Sequence, residues 1–341
     1  TGGIGSSTAA NISGGSDPST QVTATSDWTI PPVTAAVLVE GEMWYNSDSG
    51  TLKGYEKNAG VPSGTWSSGG AMNTGRTFFA SYGTQTAGVV AAGYITPTIQ
   101  DKVENYNGSA WTEVTDVNTA RRGPRGAGST TAGLIFGGMS PATSNTAVTE
   151  EWDGSAWTEV ADLNTARRGM GSAQQGTVTA ALCISGYTGV TADTESWNGT
   201  AWTEVNNLNE GRELLAGAGT QPAALAFGGN DGPGNVASTE SWDGTSWTEV
   251  NNLNTARQYI AGAGSSTAAL GFQGGPPGTT ATESWNGTSW TEINDLSTGV
   301  YDGGGAGTSV AALSMGGDQP PITTQTEEFA ADLAVATITT S

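Results

Sequence analysis

This sequence predicts an all-β fold of repeated four-stranded antiparallel sheets, on three observations. A twelve-residue stretch recurs almost unchanged: TESWNGTAWTEV from Thr194 to Val205, TESWDGTSWTEV from Thr239, TESWNGTSWTEI from Thr282, TEEWDGSAWTEV from Thr149 and VENYNGSAWTEV from Val103. Around it lies a longer unit of roughly 45 residues, and self-similarity at that period decides a fold before any local signal does. Finally, 52 Gly and abundant Ser and Thr could suit disorder, but 12 regularly spaced Trp argue for a packed core.

Each stretch reads as a β-hairpin, two Trp/Thr/Val-rich runs around Asn-Gly or Asp-Gly, the strongest two-residue turn signal. With Asn198 and Gly199 as the loop, Trp197 would face Thr200 and Glu195 would face Trp202. Alternation then puts Glu195, Trp197, Trp202 and Glu204 on one face and Ser196, Ala201, Thr203 and Val205 on the other. One face is bulky and the other small, so copies should stack, the large face of one received by the small face of the next.

Two more strands precede each hairpin. The first is Ala/Gly-rich, as in Ala261-Gly-Ala-Gly264, and the second is apolar and ends in a glycine pair, as in Leu134-Ile-Phe-Gly-Gly138 and Leu225-Ala-Phe-Gly-Gly229. A variable loop follows the glycines. Four short antiparallel strands per repeat are the signature of a β-propeller blade, and the 3.6-residue period of a helical repeat is absent. Residues 36–341 supply seven blades by this count, with six or eight as alternatives, near 36–73, 74–118, 119–164, 165–209, 210–254, 255–297 and 298–341. The first unit is irregular. In the last, Thr326-Glu-Glu-Phe329 keeps the third strand while Val335 to Thr340 stands in place of WTEV. Residues 1–35 form a partial repeat, with residues 1–30 either closing the ring or continuing an upstream repeat.

An apolar strand ending in Gly-Gly, a variable loop, then Glu and Trp bracketing a hairpin resembles the kelch repeat over about nine-tenths of the chain. The wording EGEMWYNSDSGTLKGYE, then TWSSGGAMNTGR, tandem TESWNGTSWTEVNNLNTAR-like units and a closing TEEF resembles kelch-like proteins of marine phages, and Glu40 to Leu52 is similar to a short β motif along phage tail fibres. The resemblance implies a virion location, on a tail fibre or similar appendage, with other virion proteins and a host-surface glycan or receptor as partners and homo-oligomeric display. The kelch group includes galactose oxidase, whose copper site needs two His ligands and a Tyr cross-linked to Cys. This chain has no His, which argues against copper, and it carries no phosphate loop or dinucleotide fingerprint, so no cofactor is expected.

The formal net charge is −21 with only 11 basic residues, which leaves no basic stripe for nucleic acid. No run reaches the ~18–20 apolar residues of a membrane span, so membrane insertion is not expected. The single Cys183 sits in an apolar run and reads as a buried thiol. Arg76, Arg121, Arg167, Arg212 and Arg257 lead into successive units, while Glu104, Glu150, Glu195, Glu240 and Glu283 recur at the TESW position. Guanidinium forks match carboxylates, so these are expected to form structural ion pairs tying blades together; a central anion site of converging Arg is the alternative. Glu113, Glu159, Glu204, Glu249 and Glu292 are equivalent copies, unlike the one special pair that glycoside hydrolysis needs. No catalytic residue or metal site is expected.

The loops after the glycine pairs differ between units and emerge on one rim, which is how a uniform scaffold presents a binding surface. Tyr94, Tyr187, Asn230, Asp231, Asp318 and Gln319 are the candidate rim residues. The resulting expectation is a non-enzymatic attachment propeller. A glycan-degrading enzyme using loop carboxylates, a secreted bacterial surface adhesin and a purely architectural subunit are the rivals.

Overall fold

The computed structural model describes residues 63–332 except 142, together with the backbone of strands outside that range. The chain divides into two compact units, 59–332 and a smaller one of 1–58 with 333–341. In the smaller unit, Met43–Asn46 pairs with Thr51–Lys57, which pairs with Leu333–Ile338 in a three-stranded antiparallel sheet. Of residues 1–30, Gly2–Ile4 pairs with Asn11–Ser13 and Ser16–Asp17 with Thr20–Gln21, while the remainder, and with it the expectation about their role, lies outside the described residues.

The larger unit is a ring of six four-stranded antiparallel sheets, not seven. Blade 1 comprises Ala80–Thr84, Ala87–Ile95, Thr98–Tyr106 and Trp111–Val114. Blades 2 to 5 repeat it at about 125–160, 171–205, 216–250 and 261–292. Blade 6 takes Gly304–Thr308, Ala311–Met315 and Thr326–Ala331 from the end of the chain, and its fourth strand, Gly64–Ser68, from the beginning. The supposed first blade therefore does not exist. Trp66 pairs directly with Phe329, as Trp197 pairs with Trp202, and so fills the hairpin place that the last repeat leaves vacant. Val335 to Thr340, expected as the last outer strand, overlaps the Leu333–Ile338 strand of the other sheet instead.

The hairpin register also differs from expectation. The loop has four residues, 198–201, and brings Trp197 opposite Trp202 and Glu195 opposite Glu204. The Asn198 side chain causes this, because its Oδ1 accepts the Thr200 and Ala201 amides at 2.9 and 3.0 Å and closes an Asx turn. The division into two faces survives, since two extra loop residues preserve parity.

Nesting follows from those faces, in the reverse order to that expected: each bulky face packs on the blade before it. Trp152 and Trp157 of blade 2 bury against Ala80, Tyr82, Val89 and Val103 of blade 1. Trp242 and Trp247 of blade 4 bury against Leu182, Ile184 and Val205 of blade 3. Around the ring, Trp111, Trp202, Trp290 and Trp66 donate Nε1 to Thr326, Thr149, Thr239 and Thr282 Oγ1 of the preceding blade at 3.0–3.1 Å. The recurrent Thr of TESW is thus the polar socket for a neighbour's indole, which needs a partner once buried.

Inner strands are Gly- and Ala-rich because they crowd the axis. A Cβ on Gly217 would lie 2.3 Å from the Ser172 carbonyl oxygen of blade 3. The axial channel is reduced there to a cavity of about 10 Å³, the size of one water, lined by Ser81, Arg125, Ser172 and Gln174 among others.

The repeated Arg and Glu meet as buried pairs. Arg76 contacts Glu104, and Arg121–Glu150, Arg167–Glu195, Arg212–Glu240 and Arg257–Glu283 lie at 3.1, 2.7, 3.3 and 3.0 Å. Each Arg pairs with the Glu of the blade it leads into, so the ion pair itself does not cross between blades. The crossing is made by backbone: the Arg167 carbonyl accepts the Gly138 amide of the preceding blade at 2.8 Å, and the Arg257 carbonyl accepts Gly229 at 2.9 Å. The carboxylates also receive the incoming linker, as Glu150 does from the Asn118 and Thr119 amides at 2.7 and 3.2 Å. The alternative of a central anion site made by these five Arg is excluded, because the carboxylates already occupy them.

Two outcomes are expected. Trp66→Ala should cost about 3 kcal/mol, the usual penalty for removing a large packed aromatic, in urea unfolding followed by Trp fluorescence, while exposed Ser67→Ala should cost almost nothing. Arg121→Met should cost about 3–5 kcal/mol by leaving Glu150 buried and unpaired, and adding Glu150→Gln should recover part of that loss.

Candidate functional site

The residue after each repeated Arg, or after Val300 in blade 6, pairs by an isolated β-bridge with the residue after the two left-handed residues that end the second strand, Gly-Gly in blades 2, 4 and 6 and Ala92-Gly93, Ser185-Gly186 and Gln273-Gly274 in the others. The six bridges are Thr77–Tyr94, Arg122–Met139, Arg168–Tyr187, Glu213–Asn230, Gln258–Gly275 and Tyr301–Asp318. They occur once per blade, on the side where the variable loops leave the sheet. The Asn-Gly turns lie against the turns between first and second strands, as Gly199 does against Thr179, and so mark the other side.

One residue further along, the lead-in turns join each other. The Gly123 amide donates to Phe78 O, Gly169 to Gly123 O, Leu214 to Gly169 O, Tyr259 to Leu214 O, Asp302 to Tyr259 O, and Phe78 to Asp302 O, at 2.6–3.3 Å. The result is a closed annulus of six backbone hydrogen bonds around the axis. All six residues have φ between 53° and 69°, and four of them are not glycine. A left-handed conformation is costly for Phe, Leu and Tyr, so only the surrounding structure holds it. The second residue of each glycine pair shows a related constraint: Gly138, at φ 109°, has a backbone that no L side chain adopts readily.

The loop face therefore carries equivalent positions in every blade, on one backbone frame, filled by different side chains. Tyr94, Tyr187, Asn230 and Asp318 fall on one equivalent position. Arg122 lies over the Tyr94 ring at 5.1 Å and the Phe78 ring at 5.9 Å, and Arg168 over Tyr187 at 4.5 Å. Asn230 and Asp231 are spent on their own turn, accepting the Gly232 and Gly234 amides. Asp318 and Gln319 line an open groove of about 770 Å³ with Tyr301, Pro276, Pro277 and Pro320. The Tyr301 hydroxyl donates to Asp318 Oδ2 at 2.9 Å, and burial together with that bond pushes the phenol up to about 12. Tyr259 stacks between Phe78 and Tyr301, with ring centroids 5.8 and 5.7 Å away.

Sequence reasoning missed Phe78, Arg122, Arg168, Glu213, Tyr259, Tyr301 and Asp302. A signal existed: the two residues after the repeated Arg vary from unit to unit while the Arg itself recurs. The expected equivalence of Glu113, Glu159, Glu204, Glu249 and Glu292 corresponds to five exposed carboxylates on outer strands. Cys183 is buried, and that burial pushes its thiol up to about 11. Among the described residues, no group of three or more Cys, Asp or Glu is placed to hold a metal.

Two carboxyls on this face are electrostatically unusual. Burial holds Asp302 well above the ordinary carboxylate range, with Asp318 reinforcing the shift and Arg125 and Arg122 opposing it. It is 6 % exposed and its Oδ2 has no hydrogen-bond partner. Burial also raises Glu213, opposed by Arg168. A raised folded-state pKa adds stability that is fully present below the unfolded value, about 3.9 for Asp, and is lost as pH rises through the folded value. Asp302→Asn should therefore raise Tm at pH 8, and the gain should vanish near pH 3.5; thermal melts at both pH values check this.

No protein-family model matches the chain, and no curated protein matches it. Among solved structures, one titled "Structure of YjhT" is similar with a TM-score of 0.63 at 10 % sequence identity, covering 78 % of this chain and 99 % of that one. At that identity the likeness concerns the fold alone, and it agrees with the six four-stranded blades: the chain is a β-propeller.

Proposed function

We propose that this chain is a non-enzymatic binding propeller whose loop face engages a host-surface glycan, on a kelch-type frame carried by a phage tail fibre or similar appendage. One observation carries the binding reading. A frame fixed by clamps, glycine turns and the annulus presents different side chains at equivalent positions, including five partly exposed aromatics, Phe78, Tyr94, Tyr187, Tyr259 and Tyr301. Beside them the groove at Tyr301 and Asp318 pairs an aromatic ring with carboxylate and amide acceptors, which suits a sugar ring and its hydroxyls. The virion setting is supported by the repeat wording and its resemblance to kelch-like proteins of marine phages. Contacts with other virion proteins and homo-oligomeric display belong to the same reading, since weak single sites gain from multivalency.

A second reading, a glycan-degrading enzyme, has one observation in its favour. Glu213 and Asp302 both have raised pKa values and both act electrostatically on Tyr259, so the loop face holds carboxyls suited to proton transfer. The two readings separate in one experiment. The chain is applied to a glycan array, and any bound glycan is then incubated with it and assayed for new reducing ends. Binding without cleavage, weakened at least tenfold by Tyr301→Ala with Asp318→Ala at unchanged Tm, is the expected result. Cleavage abolished by Glu213→Gln would establish the enzyme. Absence of any glycan binding, with the loop face covered by protein in an intact particle, would replace both readings with an architectural one.

A further inference from the structure

The basic residues of this acidic chain are almost all accounted for. Five of the 11 are in the buried Arg–Glu pairs. Lys102 is paired with Glu113 and Asp116 at 3.1 and 2.8 Å. Lys53 and Lys57 lie in the smaller unit. Arg122, Arg125 and Arg168 remain, and among the described residues none of them has a carboxylate within ion-pair distance. With 32 acidic residues in the chain, three unpaired arginines at the entry of two adjacent blades, two in lead-in turns and Arg125 opening the first strand of blade 2, call for an explanation.

We propose that the part of the loop face carried by blades 2 and 3 is an oxyanion subsite, in which Arg122 and Arg168 take a carboxylate or sulfate group of an acidic polysaccharide. The inference rests on the reading that the loop face binds a glycan, and it names the chemical class of that glycan. Arg122 and Arg168 occupy equivalent positions, which hold Thr77, Glu213, Gln258 and Tyr301 in the other blades. Both guanidinium carbons lie over aromatic rings, that of Tyr94 at 5.1 Å and that of Tyr187 at 4.5 Å, contacts that consume no N–H donor. Arg168 spends one N–H on Asn145 Oδ1 at 2.8 Å, and among the described residues Arg122 directs an N–H only at the Met139 sulfur, at 4.0 Å. Most of their donors are thus unspent, and a guanidinium fork matches an oxyanion bidentately.

The annulus between them is built from Gly123 and Gly169, whereas Phe78, Leu214, Tyr259 and Asp302 project side chains elsewhere on the ring. A Cβ on Gly123 would meet Arg168 Cβ at 3.5 Å and one on Gly169 would crowd Leu214 Cδ2 at 3.1 Å, so glycine at these two positions keeps side-chain bulk away from the backbone beside the two arginines. Arg125 lines the axial cavity and adds positive charge beside the same turns. Arg168 acts electrostatically on Glu213 and Arg122 on Asp302, but neither acid lies within ion-pair distance of these arginines, so the guanidinium edges are not occupied by them.

The test uses immobilised polygalacturonate, sulfated dextran and neutral dextran. At net −21 the protein is repelled by polyanions at long range, so selective retention reports a specific contact. Binding to at least one acidic polymer and not to neutral dextran is expected, and the polymer that binds assigns carboxylate or sulfate. Arg122→Gln with Arg168→Gln should weaken it at least tenfold, and the paired Lys variant should retain part of it. Gly123→Asp provides a second test: at φ 69° Asp and Asn are strained less than other side chains, so Gly123→Asp and Gly123→Asn should lower Tm slightly and alike, and only the carboxylate should block binding. The groove variant Tyr301→Ala, Asp318→Ala should leave acidic-polymer binding intact. The proposal is overturned if neither acidic polymer is held above neutral dextran, or if both the Gln pair and Gly123→Asp leave binding unchanged. In either case glycan-array binding through the groove could still stand, so the two readings fail separately.

Discussion

The loop face depends on a buried carboxylate. Each of the five glutamates Glu104, Glu150, Glu195, Glu240 and Glu283 is removed from water, where a lone charge would be prohibitive, and is faced by an arginine at ion-pair distance while accepting a backbone amide of the arriving linker. That clamp fixes where the arginine sits. The arginine carbonyl then receives the amide of the preceding blade's glycine, and the next two residues have no freedom left. One bridges to the far side of its own blade and the other enters the annulus. Side chains at those positions are consequently presented on a backbone whose geometry does not depend on what they are.

Blade 6 shows how far the clamp can be relaxed. It has Val300 in place of the arginine, yet Glu327 still accepts the Ser297 amide at 2.8 Å and Val300 still accepts the Gly274 amide at 3.1 Å. The carboxylate finds an amide partner instead, from Gln325 at 2.9 Å. The backbone hydrogen bonds are thus the invariant part, and the guanidinium is one way of holding the carboxylate in place.

Much of the fold was legible because it repeats. The Trp pairs, the glycine pair and the Arg–Glu positions each recur at a fixed spacing, and periodicity survives any uncertainty about single residues. Three features were hidden for physical reasons. Thr65-Trp66 looks like the start of its own unit, because a strand that completes a distant sheet obeys the same local rules as one that begins a sheet. The Asx bond of Asn198 lengthens a turn that Asn-Gly alone would make shorter. Arg122, Arg168, Tyr259 and Tyr301 carry no repeat signature, since their distinguishing property is that they differ. Of the rim candidates, Tyr94, Tyr187, Asp318 and Gln319 fall beside these residues, whereas Asn230 and Asp231 serve a local turn.

The closure of blade 6 sets the order in which the molecule can be completed. Phe329 waits for Trp66, a partner hundreds of residues upstream, so the contact that finishes the circle has the largest sequence separation in it. During synthesis the early segment emerges with no sheet to join and must stay available until the last strands leave the ribosome. Blades 1 to 5 are each continuous in sequence and can form as they appear, but the cost of joining the two ends is met in one late step. Once met, that step seats Trp66 against Phe329 of its own blade and Phe272 of blade 5, so the circle resists opening at the very place where the two ends of the ring meet.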